Sequence, residues 1–129
     1  MIDHISITVT DLLATKAFYM EHLGFIQRQY YQDELCQILI LENGCKLEIF
    51  EFNSSVAQRD QQTFADTLKG GGITHFALNT DNLQQSYQYF LRHGLTETQI
   101  QEGRLGRRYF FIKDPNGIFI ELIEKTTLL

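Results

Sequence analysis

The chain has 129 residues, a net charge of −5, one proline and no low-complexity tract, which suits a folded domain of ordinary size. Its acidic balance argues against nucleic acid as a general partner, because phosphate backbones are gripped by clustered Lys and Arg. No run approaches the roughly 18 apolar residues of a membrane span, and Met1-Ile2-Asp3-His4 lacks the basic and apolar regions of a secretion signal. No membrane partner is expected, and the expected location is cytoplasmic.

Ile2–Thr10 alternates, with Ile5, Ile7 and Val9 on one face and His4, Ser6 and Thr8 on the other, which predicts a half-buried strand. Asp11 predicts the N-cap of a helix whose apolar stripe is Leu13, Ala17 and Met20, ended by Gly24. Phe25–Tyr31, Cys36–Leu41 and Cys45–Phe52 predict three strands, the last two joined by Asn43-Gly44 as a two-residue turn. That register sets Cys45 against Glu42 and Cys36 against Glu51, so two reduced thiols are expected rather than a disulfide. A polar connector, Asn53–Gly72, carries one helical stretch near Gln61–Leu68 and breaks at Gly70-Gly71-Gly72.

The order then repeats. Ile73–Thr80 predicts a strand with His75, Ala77 and Asn79 on one face. Asp81 predicts the cap of a helix carrying Leu83, Tyr87, Phe90 and Leu91, closed by Gly94. A short strand near Thr96–Ile100, then Arg108–Lys113, the turn Asp114-Pro115-Asn116-Gly117 and Ile118–Glu124 complete the repeat. The expected fold class is α+β: two tandem βαβββ modules, 2–52 and 73–124 around connector 53–72, within one domain spanning 1–129. The modules are expected to pair around a metal-containing groove, with the helices on the outer faces.

Asn-Gly-x-x-apolar-Glu occurs in both halves, ending at Glu48 and Glu121, at matching distances after His4 and His75. Alternation turns His4, Ser6 and Thr8 to the groove, with Glu48, Phe50 and Phe52 in the first half. His75, Ala77, Asn79, Phe119, Glu121 and Ile123 follow in the second. Two carboxylates buried together without a cation are costly, whereas two imidazoles and two carboxylates suit a divalent metal. His4, Glu48, His75 and Glu121 are therefore the expected metal ligands. The metal is nickel, cobalt, zinc or manganese, since affinity order alone does not choose among them. His22 and His93 precede helix-ending glycines, where a cation complements the helix dipole, and carry no expected chemistry. The loop Gly103-Arg104-Leu105-Gly106-Arg107-Arg108 reads either as a solvated basic loop or as a flap whose guanidinium groups hold a substrate anion.

His4, Phe18-Tyr19, Leu23-Gly24-Phe25, Glu48, His75 and Asp114-Pro115-Asn116-Gly117 with Glu121 together resemble the vicinal oxygen chelate superfamily of glyoxalases, bleomycin-resistance proteins and extradiol dioxygenases. The ligand order His, Glu, His, Glu is most similar to glyoxalase I. The dioxygenases and fosfomycin-resistance enzymes typically use two histidines and one glutamate, and the epimerases carry glutamine at the second position. The resemblance implies a lyase/isomerase that moves a proton through a metal-stabilised enediolate, with Glu121, or less favourably Glu48, as the catalytic carboxylate. Ser6, Thr8, Phe50, Phe52, Asn79, Arg107 and Arg108 would line the substrate pocket. The implied substrate is a small molecule, a thiol adduct of a 2-oxoaldehyde, and the implied assembly is a homodimer whose modules pair within or across chains. Two positions depart from short bacterial glyoxalase I. Thr8 stands where an arginine grips the glutathione carboxylate, and Phe52 stands where an asparagine is expected, so the resemblance does not carry glutathione over. The alternatives are a thiol transferase like the fosfomycin-resistance enzymes, to which Gly103–Tyr109 is faintly similar, a dioxygenase on the same fold, and a drug-binding protein without chemistry.

Overall fold

The computed structural model describes residues 1–54 and 63–126. The chain divides into two compact units, Met1–Arg59 and Asp60–Leu129. The first holds β1 (His4–Thr8), α1 (Leu12–Leu23), β2 (Ile26–Gln32), β3 (Cys36–Asn43) and β4 (Cys45–Phe52). The second holds α2 (Phe64–Lys69), β5 (His75–Thr80), α3 (Leu83–Arg92), β6 (Gln101–Glu102), β7 (Arg108–Lys113) and β8 (Phe119–Glu124). Among the described residues, no helix is long and apolar enough to cross a membrane.

Each unit is built on a four-stranded mixed sheet, ordered β1-β4-β3-β2 in one and β5-β8-β7-β6 in the other. The first and last strands of each module run parallel, and the rest pair antiparallel. The expected repeat of two βαβββ modules is the architecture found. Burial follows the period-two alternation of strands. Leu39, Leu41, Leu47 and Ile49 are buried beneath α1, while Ile38, Ile40, Glu48 and Phe50 on the opposite face stay partly open. In the second unit Phe110, Ile112, Ile120 and Leu122 form the helix-side core, with Tyr87 and Phe90 of α3 against Phe110.

Helix α1 starts at Asp11, whose carboxylate accepts the Ala14 N–H, and ends at Gly24 in the left-handed conformation (φ 69°), as expected. Its buried stripe differs from the expected one. Leu12, Thr15, Phe18, Tyr19 and Leu23 are buried, whereas Leu13, Ala17 and Met20 are exposed. The aromatic pair outweighs the aliphatic set, because Tyr19 packs edge-on against Phe18 and Phe25 and is fully buried. In α3, Leu83 and Phe90 are buried and Leu91 is exposed. Asn82, not Asp81, caps it, accepting the Gln85 N–H, while Asp81 forms an ion pair with Lys125 at 2.7 Å.

Two strand expectations also need correction. Asn43 pairs directly with Cys45, so Gly44 (φ 71°) alone turns the hairpin and the register is one residue off the expected one. The Asn43 side-chain amide donates to the Leu23 carbonyl (2.8 Å), which holds Asn43 in the strand beside the end of α1. Cys36 then faces Phe52, and both thiols are free. The strand expected near Thr96–Ile100 is a single bridge from Thr96 to Ile112. There the Thr98 hydroxyl accepts the Phe111 N–H (2.9 Å) in place of a ladder bond, and the edge strand forms later, as β6. Of the helical stretch expected at Gln61–Leu68, Phe64 onward is helix, and Gln61 and Gln62 lie outside the described residues.

Candidate metal centre

In the first unit, β1 and β4 set His4 opposite Lys46 and Ser6 opposite Glu48. In the second, β5 and β8 set His75 opposite Phe119 and Ala77 opposite Glu121. Each glutamate is thus two residues on from its histidine's own partner, on the same face, and the two modules agree in register as well as in sequence. His75 Nε2 lies 3.0 Å from Glu121 Oε1, and His4 Nε2 lies 3.5 Å from Glu48 Oε1. In both cases Nδ1, the other ring nitrogen, is held by the residue immediately before the histidine. His4 Nδ1 donates to Asp3 Oδ2 at 2.8 Å, and His75 Nδ1 is hydrogen-bonded to Thr74 Oγ1 at 2.7 Å.

A metal-ligating histidine commonly has its second nitrogen fixed in this way, which orients the ring and sets the tautomer. Each pair offers an imidazole Nε2 and a carboxylate oxygen, donor types that suit a divalent cation. Each unit supplies one such pair. Among the described residues no three His, Cys, Asp or Glu side chains converge as a cluster by themselves. The pairs differ in surroundings. Ser6 donates its hydroxyl to Glu48 Oε1 at 2.6 Å, and the His4 ring followed by the Lys46 ammonium holds the Asp3 carboxyl below its ordinary value. His75 and Glu121 are the less exposed pair, with the rings of Phe64 and Phe111 packed around the imidazole.

A cavity of about 590 Å³ lies in the second unit with His75 and Glu121 in its wall. Phe64, Leu68, Tyr109, Phe111 and Ile123 give it an apolar lining, as small-molecule sites usually have. Arg107 also lines it, but its guanidinium donates twice to the Glu124 carbonyl, at 3.2 and 2.7 Å. Arg108 pairs with the Glu124 carboxylate, whose Oε1 accepts the Arg108 backbone N–H. That backbone bond first, and the Arg108 side chain after it, hold the Glu124 carboxyl below its ordinary value. The loop between β6 and β7 is a hydrogen-bonded turn closed by Gly103 N–H to the Arg107 carbonyl, and Arg104 within it also lines the cavity.

The remaining expected site residues sit where alternation put them. Ser6 and Thr8 lie on the same face of β1 as His4, and Thr8 pairs with Phe50. Phe50 and Phe52 stack at 5.8 Å with nearly parallel rings, and Asn79 pairs with Ile123. His22 packs edge-on against Phe18, and His93 Nδ1 is bonded to the Tyr89 carbonyl oxygen, both at helix ends. Sequence reasoning missed Asp3, Thr74 and Phe64. The first two had a signal, a polar residue directly before each repeated histidine. Phe64 had a weaker one, as a single aromatic within a polar connector.

Residues 1–122 match the family described as the Glyoxalase/Bleomycin resistance protein/Dioxygenase superfamily. The chain belongs to that superfamily. It is 28% identical to the uncharacterised Bacillus subtilis protein YwkD, over 96% of both chains. Among solved structures, a glyoxalase family protein from Enterococcus faecalis is similar at 26% identity, with a TM-score of 0.78 over 96% of this chain and 97% of that one. A glyoxalase I variant from Zea mays has the same fold at 22% identity and a TM-score of 0.78, over 97% of this chain and 44% of that one.

Proposed function

We propose that this superfamily member is a metal-dependent lyase/isomerase of the glyoxalase I type, acting on a thiol adduct of a 2-oxoaldehyde. One observation supports this most: both modules present a histidine Nε2 beside a glutamate Oε1 from matching rungs, with Nδ1 already engaged. His4, Glu48, His75 and Glu121 would hold one divalent ion, drawn from a single chain or from two copies in a homodimer. When bound, the ion supplies Lewis-acid stabilisation of charge developing on two vicinal substrate oxygens.

The chain's own residues do the rest. Glu121 takes a proton from the carbon beside the substrate carbonyl and returns it to the former carbonyl carbon, while the hydroxyl proton passes to the former carbonyl oxygen, so atoms are rearranged and none is gained or lost. Phe64 and Phe111 cover the His75 ring and exclude water from that side. Thr8 offers no cation to a glutathione carboxylate, so thiols beyond glutathione have to be tried.

The test is metal analysis of the purified protein, followed by turnover of methylglyoxal with glutathione, bacillithiol and other thiols. Bound divalent metal and turnover abolished by chelation are expected. Glu121→Gln is expected to keep the ion and lose about 10²–10⁴-fold in turnover; undiminished turnover with metal in place would remove the proton-transfer role. A protein that takes up no metal would favour the non-catalytic, drug-binding reading.

A further inference from the structure

The two half-sites share a register but not a set of supporting contacts. On β1, the rung partner of Glu48 is Ser6, whose hydroxyl donates to the carboxylate at 2.6 Å. On β5, the rung partner of Glu121 is Ala77, which has nothing to donate, and its neighbour on β7 is Phe111. The histidines differ in the same sense. His4 Nδ1 has a carboxylate partner, Asp3, itself 3.4 Å from the Lys46 ammonium, whereas His75 Nδ1 has only the neutral Thr74 hydroxyl.

We infer that the two half-sites hold a cation unequally: Asp3 and Ser6 make His4 and Glu48 the tighter-holding pair, whereas Thr74 and Ala77 give His75 and Glu121 less support. A carboxylate behind an imidazole raises the basicity of the far nitrogen and fixes the ring, so His4 is the stronger donor to a cation. A glutamate anchored by a short hydrogen bond is preset to ligate and resists swinging away. Glu121 has, among the described residues, only the His75 ring to hold its carboxylate. Asp3 and Ser6 are thus positioning residues, and the absence of a hydroxyl at Ala77 matters as much as its presence at Ser6. This rests on the metal-centre reading above.

The experiment measures nickel affinity of the full chain by competition with a chelator, with the cobalt absorption spectrum as a second readout and circular dichroism to check folding. Asp3→Asn and Ser6→Ala are each expected to weaken nickel binding by about 10–100-fold, the usual cost of losing a contact behind a ligand. Thr74→Val is expected to weaken it distinctly less. Ala77→Ser, which gives Glu121 the hydroxyl that Glu48 already has, is expected to tighten it. Equal or greater losses from Thr74→Val overturn this inference while leaving the metal reading intact. A folded chain that binds neither nickel nor cobalt overturns both.

Discussion

Asp114 is buried in the turn between β7 and β8, where its carboxylate accepts the backbone N–H groups of Asn116 and Ile118 at 2.8 and 2.9 Å. Asp114→Ala strands those donors, and a loss of about 1–3 kcal/mol in urea unfolding is expected. Glu124 makes a pH-dependent contribution. Its carboxyl is held below its ordinary value by Arg108, so the stabilisation is complete above the ordinary carboxylate range and is lost as pH falls through that range and the lower folded value. Melting temperature followed across acid pH should therefore fall less steeply in Glu124→Gln than in the parent chain. At this scale the two His/Glu pairs were legible in the sequence because strand alternation is rigid: in each module it puts the histidine and the glutamate on one face. Asp3 and Thr74 gave only a weak signal, since a residue beside a strand histidine points away by the same alternation. Only the folded geometry shows it bending back to the ring. For Arg107 and Arg108 the sequence left a solvated loop and a substrate flap both open, and nothing in it announced that Glu124 engages both.

Helix α1 shows where element-level reading succeeds and where it stops. Both ends were legible, because an aspartate cap and a left-handed glycine are local chemistry. The buried face was not, because two apolar stripes compete on this helix and only the sheet decides between them. Phe18→Ala is accordingly expected to cost about 3–5 kcal/mol in denaturant unfolding, while Leu13→Ala stays within about 0.5 kcal/mol of the parent. The reverse ranking would restore the stripe of Leu13, Ala17 and Met20. The β3–β4 hairpin carries a related lesson. Asn-Gly marked the turn correctly, but the bond from Asn43 to the Leu23 carbonyl shortened it by one residue, and that partner lies 20 positions back in the chain. A one-residue slip moves a whole strand to the other face, so the observed register is what sets Glu48 beside Ile40 on the open face and not among the buried leucines.

For the whole molecule, the repeat was the most legible feature, because order and spacing survive local errors in boundaries. A resident cation has a thermal signature. Nickel at a hundredfold excess over its dissociation constant is expected to raise the melting temperature on the order of 10 °C, reversibly with chelator; an unchanged melting curve would count against the metal centre. The matched rungs of His4 with Glu48 and His75 with Glu121 have a consequence for symmetry as well. Two identical one-module chains would present the same imidazole and the same carboxylate on the same rungs. Identical chains, however, cannot differ at equivalent positions. With both modules in one chain, serine can stand beside one glutamate and alanine beside the other.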